Sequence, residues 1–149
     1  MRDESQVYQR QGFGAGLGVQ APIGLLIVDF VNGFADPGTF GGGNIPAAID
    51  RTVGLLATAR RRGWPVAHSR IVYADDDSDA NIFSTKVPGM LGLKEHSSAS
   101  AIVDALAPVA GERVVRKNVP SAFFGTDLAP WLTQRGVRTL LVAGCVTRG

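Results

Sequence analysis

The stretch Thr139-Leu-Leu-Val-Ala-Gly-Cys-Val-Thr-Arg-Gly149 limits the fold more than any other. Leu140 to Ala143 is an apolar run without alternation, the pattern of a strand buried on both faces of a parallel sheet. It breaks at Gly144 into a turn carrying the single cysteine, Cys145. A parallel strand cannot return by a hairpin, so each needs a crossover, usually a helix, and α/β proteins place their chemistry in the turns at the carboxyl ends of such strands. The sequence stops at Gly149, before the helix that a parallel strand normally feeds. The expected fold is therefore a three-layer, doubly wound α/β parallel sheet ending after its fourth strand, incomplete at the C-terminus.

The remaining strands and helices follow from apolar period and punctuation. Ile23 to Val28 is a near-continuous apolar run ending at Asp29, the first central strand. A turn-rich loop from Phe30 to Asn44 leads to a helix opened by Pro46 and closed by Gly63, with Ile49, Val53, Leu56 and Ala59 at helical spacing. Trp64 to Arg70 reads as the second strand and Arg113 to Arg116 as the third, with Lys117 at its carboxyl end. A short helix is expected over Ser100 to Leu106. Another, capped by Thr126 and stopped by Gly136, carries Leu128, Trp131 and Leu132 on one side and leads to a fourth strand, Val137 to Ala143. Between strands two and three, residues 73–98 are irregular, a surface excursion or lid. Its acidic cluster Asp75-Asp76-Asp77-Ser78-Asp79 lacks the central Gly and closing Glu of a calcium loop and reads as solvated.

Residues 21–149 form one domain on this reading, preceded by a flexible arm, residues 1–20. The glycines of Gly12 to Gly18 precede the first strand and are not spaced G-x-G-x-x-G, so they are no phosphate loop; an arm lying on a neighbouring subunit is the better reading. A net charge of +2, from 15 basic and 13 acidic residues, is too small and dispersed for a nucleic-acid surface. The one basic run, Arg60 to Arg62, suits a helix C-terminus. No apolar segment reaches membrane-spanning length and the acidic, Gln-rich start is unlike a signal peptide, so no membrane partner and a cytoplasmic location are expected. One cysteine permits neither an internal disulfide nor a Cys-cluster metal site.

Three strands thus end in polar groups, Asp29, Lys117 and the Gly144-Cys145 turn. With strand order 3-2-1-4 these ends share one rim, where carboxylate, ammonium and thiol turn could meet. Each has a plainer role open to it: Asp29 bonding loop amides, Lys117 in solvent, Cys145 as a small buried apolar residue.

The segments Leu26-Ile-Val-Asp-Phe30 with Gly33-Phe34, Arg116-Lys-Asn-Val-Pro-Ser-Ala-Phe-Phe-Gly-Thr-Asp-Leu128, and Val142-Ala-Gly-Cys-Val-Thr-Arg-Gly149 together resemble the isochorismatase-like cysteine hydrolases. The Gly-Cys-Val-Thr-x-Gly ending is most similar to the branch of N-carbamoylsarcosine amidase and maleamate amidohydrolase. The resemblance implies an aspartate, lysine and cysteine triad, with Asp29 and Lys117 as the first two members. It puts the nucleophilic cysteine five residues past Cys145, at position 150, immediately after Gly149. A cis peptide is implied between Cys145 and Val146, aiming the Val146 amide at a developing oxyanion. Phe34, Thr147 and Arg148 become expected pocket walls, and a carboxylate-anchoring arginine is expected beyond Gly149.

No cofactor and no metal are implied. The zinc-bearing nicotinamidase branch has a D-x-H pattern where this chain has His68-Ser69-Arg70, so His68 reads as a satisfied structural histidine and His96 as a loop residue. The implied reaction is ammonia release from a small linear amide bearing a carboxylate. Maleamate leads, which belongs to nicotinate degradation, with N-carbamoylsarcosine or a nicotinamide-like amide as the rivals. A non-catalytic family member that binds a small ligand is the reading from another class. A homo-oligomer is implied, with a tetramer as its form.

Overall fold

The computed structural model describes residues 19–40 and 43–144. Its four strands are β1 (Ile23–Val28), β2 (Val66–Ile71), β3 (Arg113–Lys117) and β4 (Thr139–Gly144), all parallel, in the order β3-β2-β1-β4. Helix α1 (Asn32–Ala35) is a single turn after β1, and α2 (Ile45–Arg61) is the main crossover to β2. A short α3 (Ile82–Lys86) and three 3₁₀ turns fill the connection to β3, and α4 (Leu128–Gln134) links β3 to β4. Most of the expected arm, residues 1–20, lies outside the described residues, of which Val19 and Gln20 are exposed.

Burial on both sides explains the unbroken apolar run of β1. Leu25 and Ile27 pack with Leu56 and Ala59 of α2, whereas Leu26 packs with Leu128, Trp131 and Leu132 of α4 on the opposite face. Each such side chain removed from water contributes about 1.5–3 kcal/mol. Connections run along the α2 face from β1 through β2 to β3, where Leu106 joins the same cluster, and then switch to the α4 face to reach β4. The reversal puts β1 beside both β2 and β4 and opens a crevice at their carboxyl ends. A third cluster, with Val31, Phe34, Ile71, Tyr73, Met90 and Leu93, closes over that rim.

Four local expectations need correction. The stripe of α2 runs through Thr52 and not Val53, which is exposed; Thr52 can be buried because its hydroxyl donates to the Ala48 carbonyl at 2.8 Å within the helix. Ser100 to Leu106 is no helix but two 3₁₀ turns, Ser98–Ser100 and Asp104–Leu106, because Val103 N–H is drawn to the Phe30 carbonyl at 2.9 Å and Ile102 bridges Val31. The cap of α4 is Asp127, one residue after Thr126, although the Thr126 hydroxyl still accepts from Leu128 N–H at 3.3 Å. Finally, β4 is not buried on both faces: it lies at the sheet edge, paired only with β1 among the described residues, and Val142 is 64% exposed.

The lower end of the sheet is closed by charge. Arg60, in the last turn of α2, donates to both Glu112 oxygens at 2.8 and 2.9 Å and to the Ala107 carbonyl at 2.9 Å, a fixed forked geometry well beyond complementing a helix terminus. Glu112 also accepts from the Val109 amide and lies 2.9 Å from Nε2 of His68 on β2. His68 is 1% exposed and its Nδ1 has no hydrogen-bond partner among the described residues, so it is only half satisfied. A carboxylate can only accept, so Nε2 carries a proton. Burial lowers the His68 pKa and outweighs the upward pull of Glu112. At Glu112 burial acts to raise the pKa, yet the bonds from Arg60, His68 and Val109 prevail and bring it from 4.5 to about 2.

Both shifts make acid unfavourable to the folded chain. The unfolded histidine takes up a proton near 6.5 and the folded one resists it, so stability falls as pH drops below 6.5. The Glu112 contribution is complete above pH 4.5 and is lost as pH falls towards 2. Thermal melts across pH 2–8 are expected to lose the slope just below 6.5 in His68→Gln, whose amide still donates to Glu112, and the slope below 4.5 in Glu112→Gln.

Candidate active site

Asp29 follows β1 directly and adopts a left-handed backbone, φ 59°, which an aspartate tolerates better than a bulky residue but at some cost. Two backbone bonds hold it there: Asp29 N–H donates to the Ser69 carbonyl at 3.1 Å, and Val31 N–H donates to the Asp29 carbonyl at 2.8 Å. One carboxylate oxygen, Oδ1, accepts from the Ser69 hydroxyl at 2.8 Å, and the other, Oδ2, lies 3.0 Å from Nζ of Lys117. Asp29 and Lys117 are 7% and 5% exposed, so the ion pair is an interior one.

The reach of that pair depends on side-chain length. Lys117 is the last residue of β3, aligned with Ile71 of β2, and β2 separates it from β1. Two strand spacings amount to roughly 10 Å, which the long lysine stem, the aspartate side chain and their 3.0 Å contact cover together, and which a short side chain at position 117 would leave open. Lys117 Nζ also donates to the Pro120 carbonyl at 2.5 Å. Burial pushes the Asp29 carboxyl pKa up, opposed by the charge of Lys117 and by hydrogen bonds from Lys117 and Ser69. A carboxylate raised in this way and held by an ammonium is suited to accept a proton from a nearby acid.

Asp29 stands at the edge of a cavity of about 630 Å³ on the α4 side of the carboxyl rim, while Lys117 borders a second, polar cleft. Phe34 from α1, Phe83, Val87 and Met90 from the excursion after β2, and Ser121 and Ala122 after β3 supply much of its wall. Residues 73–98 are thus a pocket wall with its own capped helix, the Asn81 side chain accepting from Phe83 and Ser84 amides. Gly144, at the end of β4, borders the cavity where β1 comes close: a Cβ there would stand 3.2 Å from both Cβ and the carbonyl oxygen of Val28. Beyond Lys117 lies a polar cleft of about 550 Å³, bordered by Asp79, Glu95, Arg116 and Asn118.

Of the residues singled out in the sequence, Asp29 and Lys117 meet and Phe34 lines the adjoining cavity. Cys145, Val146, Thr147 and Arg148, with the expected cis bond and oxyanion amide, lie outside the described residues. His96 is an exposed turn residue. Ser69 and the Pro120 carbonyl were not foreseen. Ser69 sits between His68 and Arg70 in a strand of mixed polarity, so nothing set it apart, and a carbonyl leaves no mark in a sequence. The acidic cluster is less solvated than expected, since Asp79 accepts from Ala74 N–H at 2.9 Å and from Asn118 Nδ2 at 3.0 Å, and Asp77 pairs with Lys94. Among the described residues no three His, Cys, Asp or Glu side chains converge as a metal site, and no helix is long and apolar enough to cross a membrane.

The isochorismatase domain model matches residues 24–149. Over 143 residues the chain is 40% identical to maleamate amidohydrolase of Pseudomonas putida, covering 95% of this chain and 64% of that protein. It is 30% identical over 151 residues to N-carbamoylsarcosine amidase of an Arthrobacter species, covering 97% and 57%. Among solved structures, an isochorismatase family protein of Desulfovibrio vulgaris aligns with a TM-score of 0.73 at 35% identity, over 83% of this chain and 66% of that one. N-carbamoylsarcosine amidase of Thermoplasma acidophilum aligns with 0.70 at 26% identity, over 82% and 66%. The chain spans less than two thirds of the length of the two curated relatives. With a matching parallel sheet and a family model matched from β1 onward, the chain belongs to the isochorismatase family.

Proposed function

We propose that the protein is a cysteine-dependent amidohydrolase that releases ammonia from a small linear amide bearing a carboxylate, with maleamate converted to maleate as the leading reaction. The observation that carries this reading is the interior Asp29–Lys117 pair, 3.0 Å apart beside a cavity at the carboxyl rim. The 40% identity to maleamate amidohydrolase supports the choice of substrate. The nucleophile is the cysteine expected immediately after Gly149.

In this mechanism Asp29 takes the thiol proton, and Lys117 keeps the carboxylate and the nascent thiolate stable together. The thiolate adds to the amide carbon, the C–N bond breaks, and the amine leaves as ammonia with the proton returned from Asp29. Water then cleaves the thioester to the carboxylate, regenerating the thiol. The Val146 amide and that of position 150 donate to the tetrahedral oxyanion. Phe34, Thr147 and Arg148 form parts of the substrate wall, and an arginine expected beyond Gly149 anchors the substrate carboxylate. No cofactor or metal takes part, and the working form is a cytoplasmic homo-oligomer.

Ammonia release by the purified full-length protein, offered maleamate, N-carbamoylsarcosine and nicotinamide separately without added metal, tests the reading. Release from maleamate that a thiol reagent blocks is the expected result; preference for another amide corrects the substrate, and silence with all three favours a non-catalytic binder. Asp29→Asn should lower kcat by about 100-fold or more with circular dichroism unchanged. Near-normal turnover in that variant would sink the triad assignment. Because burial raises the Asp29 pKa, the acid limb of kcat/KM is expected above the ordinary aspartate value of 3.8, with activity falling as pH drops through it.

A further inference from the structure

Lysine is a flexible carrier of charge, and its ammonium is placed only as well as its acceptors are. Two acceptors define Nζ of Lys117: Oδ2 of Asp29 and the Pro120 carbonyl. The first is anchored by β1 and Ser69. The second belongs to the bend Asn118–Pro120, which has no regular secondary structure, so something else must hold it.

What holds it comes from β2 and the segment after it. Val72 N–H donates to the Lys117 carbonyl at 2.9 Å. The next carbonyl, that of Asn118, accepts from two side chains, Tyr73 Oη at 3.0 Å and Asn81 Nδ2 at 2.8 Å. The Asn118 side chain donates in turn to Asp79 Oδ2 at 3.0 Å, while Asp79 Oδ1 accepts from Ala74 N–H at 2.9 Å. Asn81 cannot turn its amide round, because its oxygen accepts from the Phe83 and Ser84 amides at the start of α3. Phe83 lines the cavity.

We propose that Tyr73, Asp79 and Asn81 are positioning residues for Lys117: by gripping Asn118 they set the bend that presents the Pro120 carbonyl to the ammonium, and Asn81 ties that bend to the pocket wall on α3. The inference rests on the role given above to the Asp29–Lys117 pair, yet none of the three side chains is assigned contact with substrate.

The double variant Tyr73→Phe/Asn81→Ser tests it, since it removes both donors to the Asn118 carbonyl, adds no charge, and leaves serine as a helix cap. A ¹³C-carboxyl NMR titration of Asp29 in the full-length protein is the primary readout. Loosening Lys117 withdraws its stabilisation of the carboxylate, so the Asp29 midpoint should rise by about one pH unit, and kcat should fall about 10-fold or more with KM little changed. A lower melting temperature with the Asp29 midpoint and kcat as in the parent protein would overturn the proposal, because a merely structural role predicts that pattern. Should the double variant fail to fold, Tyr73→Phe alone is titrated, with the same shift at smaller amplitude supporting the inference and an unmoved midpoint rejecting it. If the parent protein releases ammonia from none of the amides, the proposed function falls, while the titration still decides whether these residues place Lys117.

Discussion

An ammonium and a carboxylate held 3.0 Å apart inside a protein have each given up their water, at a cost that their attraction offsets only when the geometry is good and the leftover hydrogen-bonding capacity is met. At Asp29 and Lys117 that requirement reaches far into the fold. The left-handed turn after β1 aims the carboxylate, the Ser69 hydroxyl occupies its other oxygen, and the Pro120 carbonyl takes a second ammonium proton. The donors belong to β2 and β3, so only a sheet in which β2 lies between β1 and β3 satisfies all of them.

The two faces of that sheet divide the work. On the α2 face, Arg60, Glu112 and His68 make a forked, closed network near the amino ends of the strands, and the connections from β1 to β3 pack over it. The α4 face holds the cavity at the opposite end, where the walls come from strand ends, loops and the short helices α1 and α3, and not from the long helix. One network serves to keep the layers together, and the other presents charge to a cavity. Arg60 of the first network reaches solvent whereas the Asp29–Lys117 pair is interior, and the two also differ in their place relative to the carboxyl rim, where α/β sheets leave a crevice.

The excursion between β2 and β3 has no strong periodicity and a run of acids, which reads as solvated chain. In the structure its order comes from single hydrogen bonds to partners distant in sequence: Asp79 to Asn118, Asn81 to the Asn118 carbonyl, Lys94 to the Ala74 carbonyl at 2.6 Å. No local pattern encodes such bonds, so the segment's apolar residues, Phe83, Val87 and Met90, could not be recognised as pocket wall from spacing alone. The same limit explains Thr52. A threonine that satisfies its hydroxyl within its own helix can replace an apolar residue in the buried stripe, and the pattern then points one position too far, to Val53.

By itself the sequence determined what local chemistry controls: the apolar run of β1, the helix from Pro46 to Gly63, the charged residues ending β1 and β3, and the motif segments that mark the family. Strand order followed from the commonest doubly wound arrangement, and β3-β2-β1-β4 agrees with it. Only the tertiary structure decided that Lys117 reaches across β2 to Asp29, that Ser69 completes the carboxylate, that β4 is a half-exposed edge, and that Asn118 is gripped from three sides. The reason is one of distance along the chain. Propensity and periodicity act over a few residues, while these contacts join groups 37 to 88 positions apart, whose meeting depends on how the whole sheet is assembled.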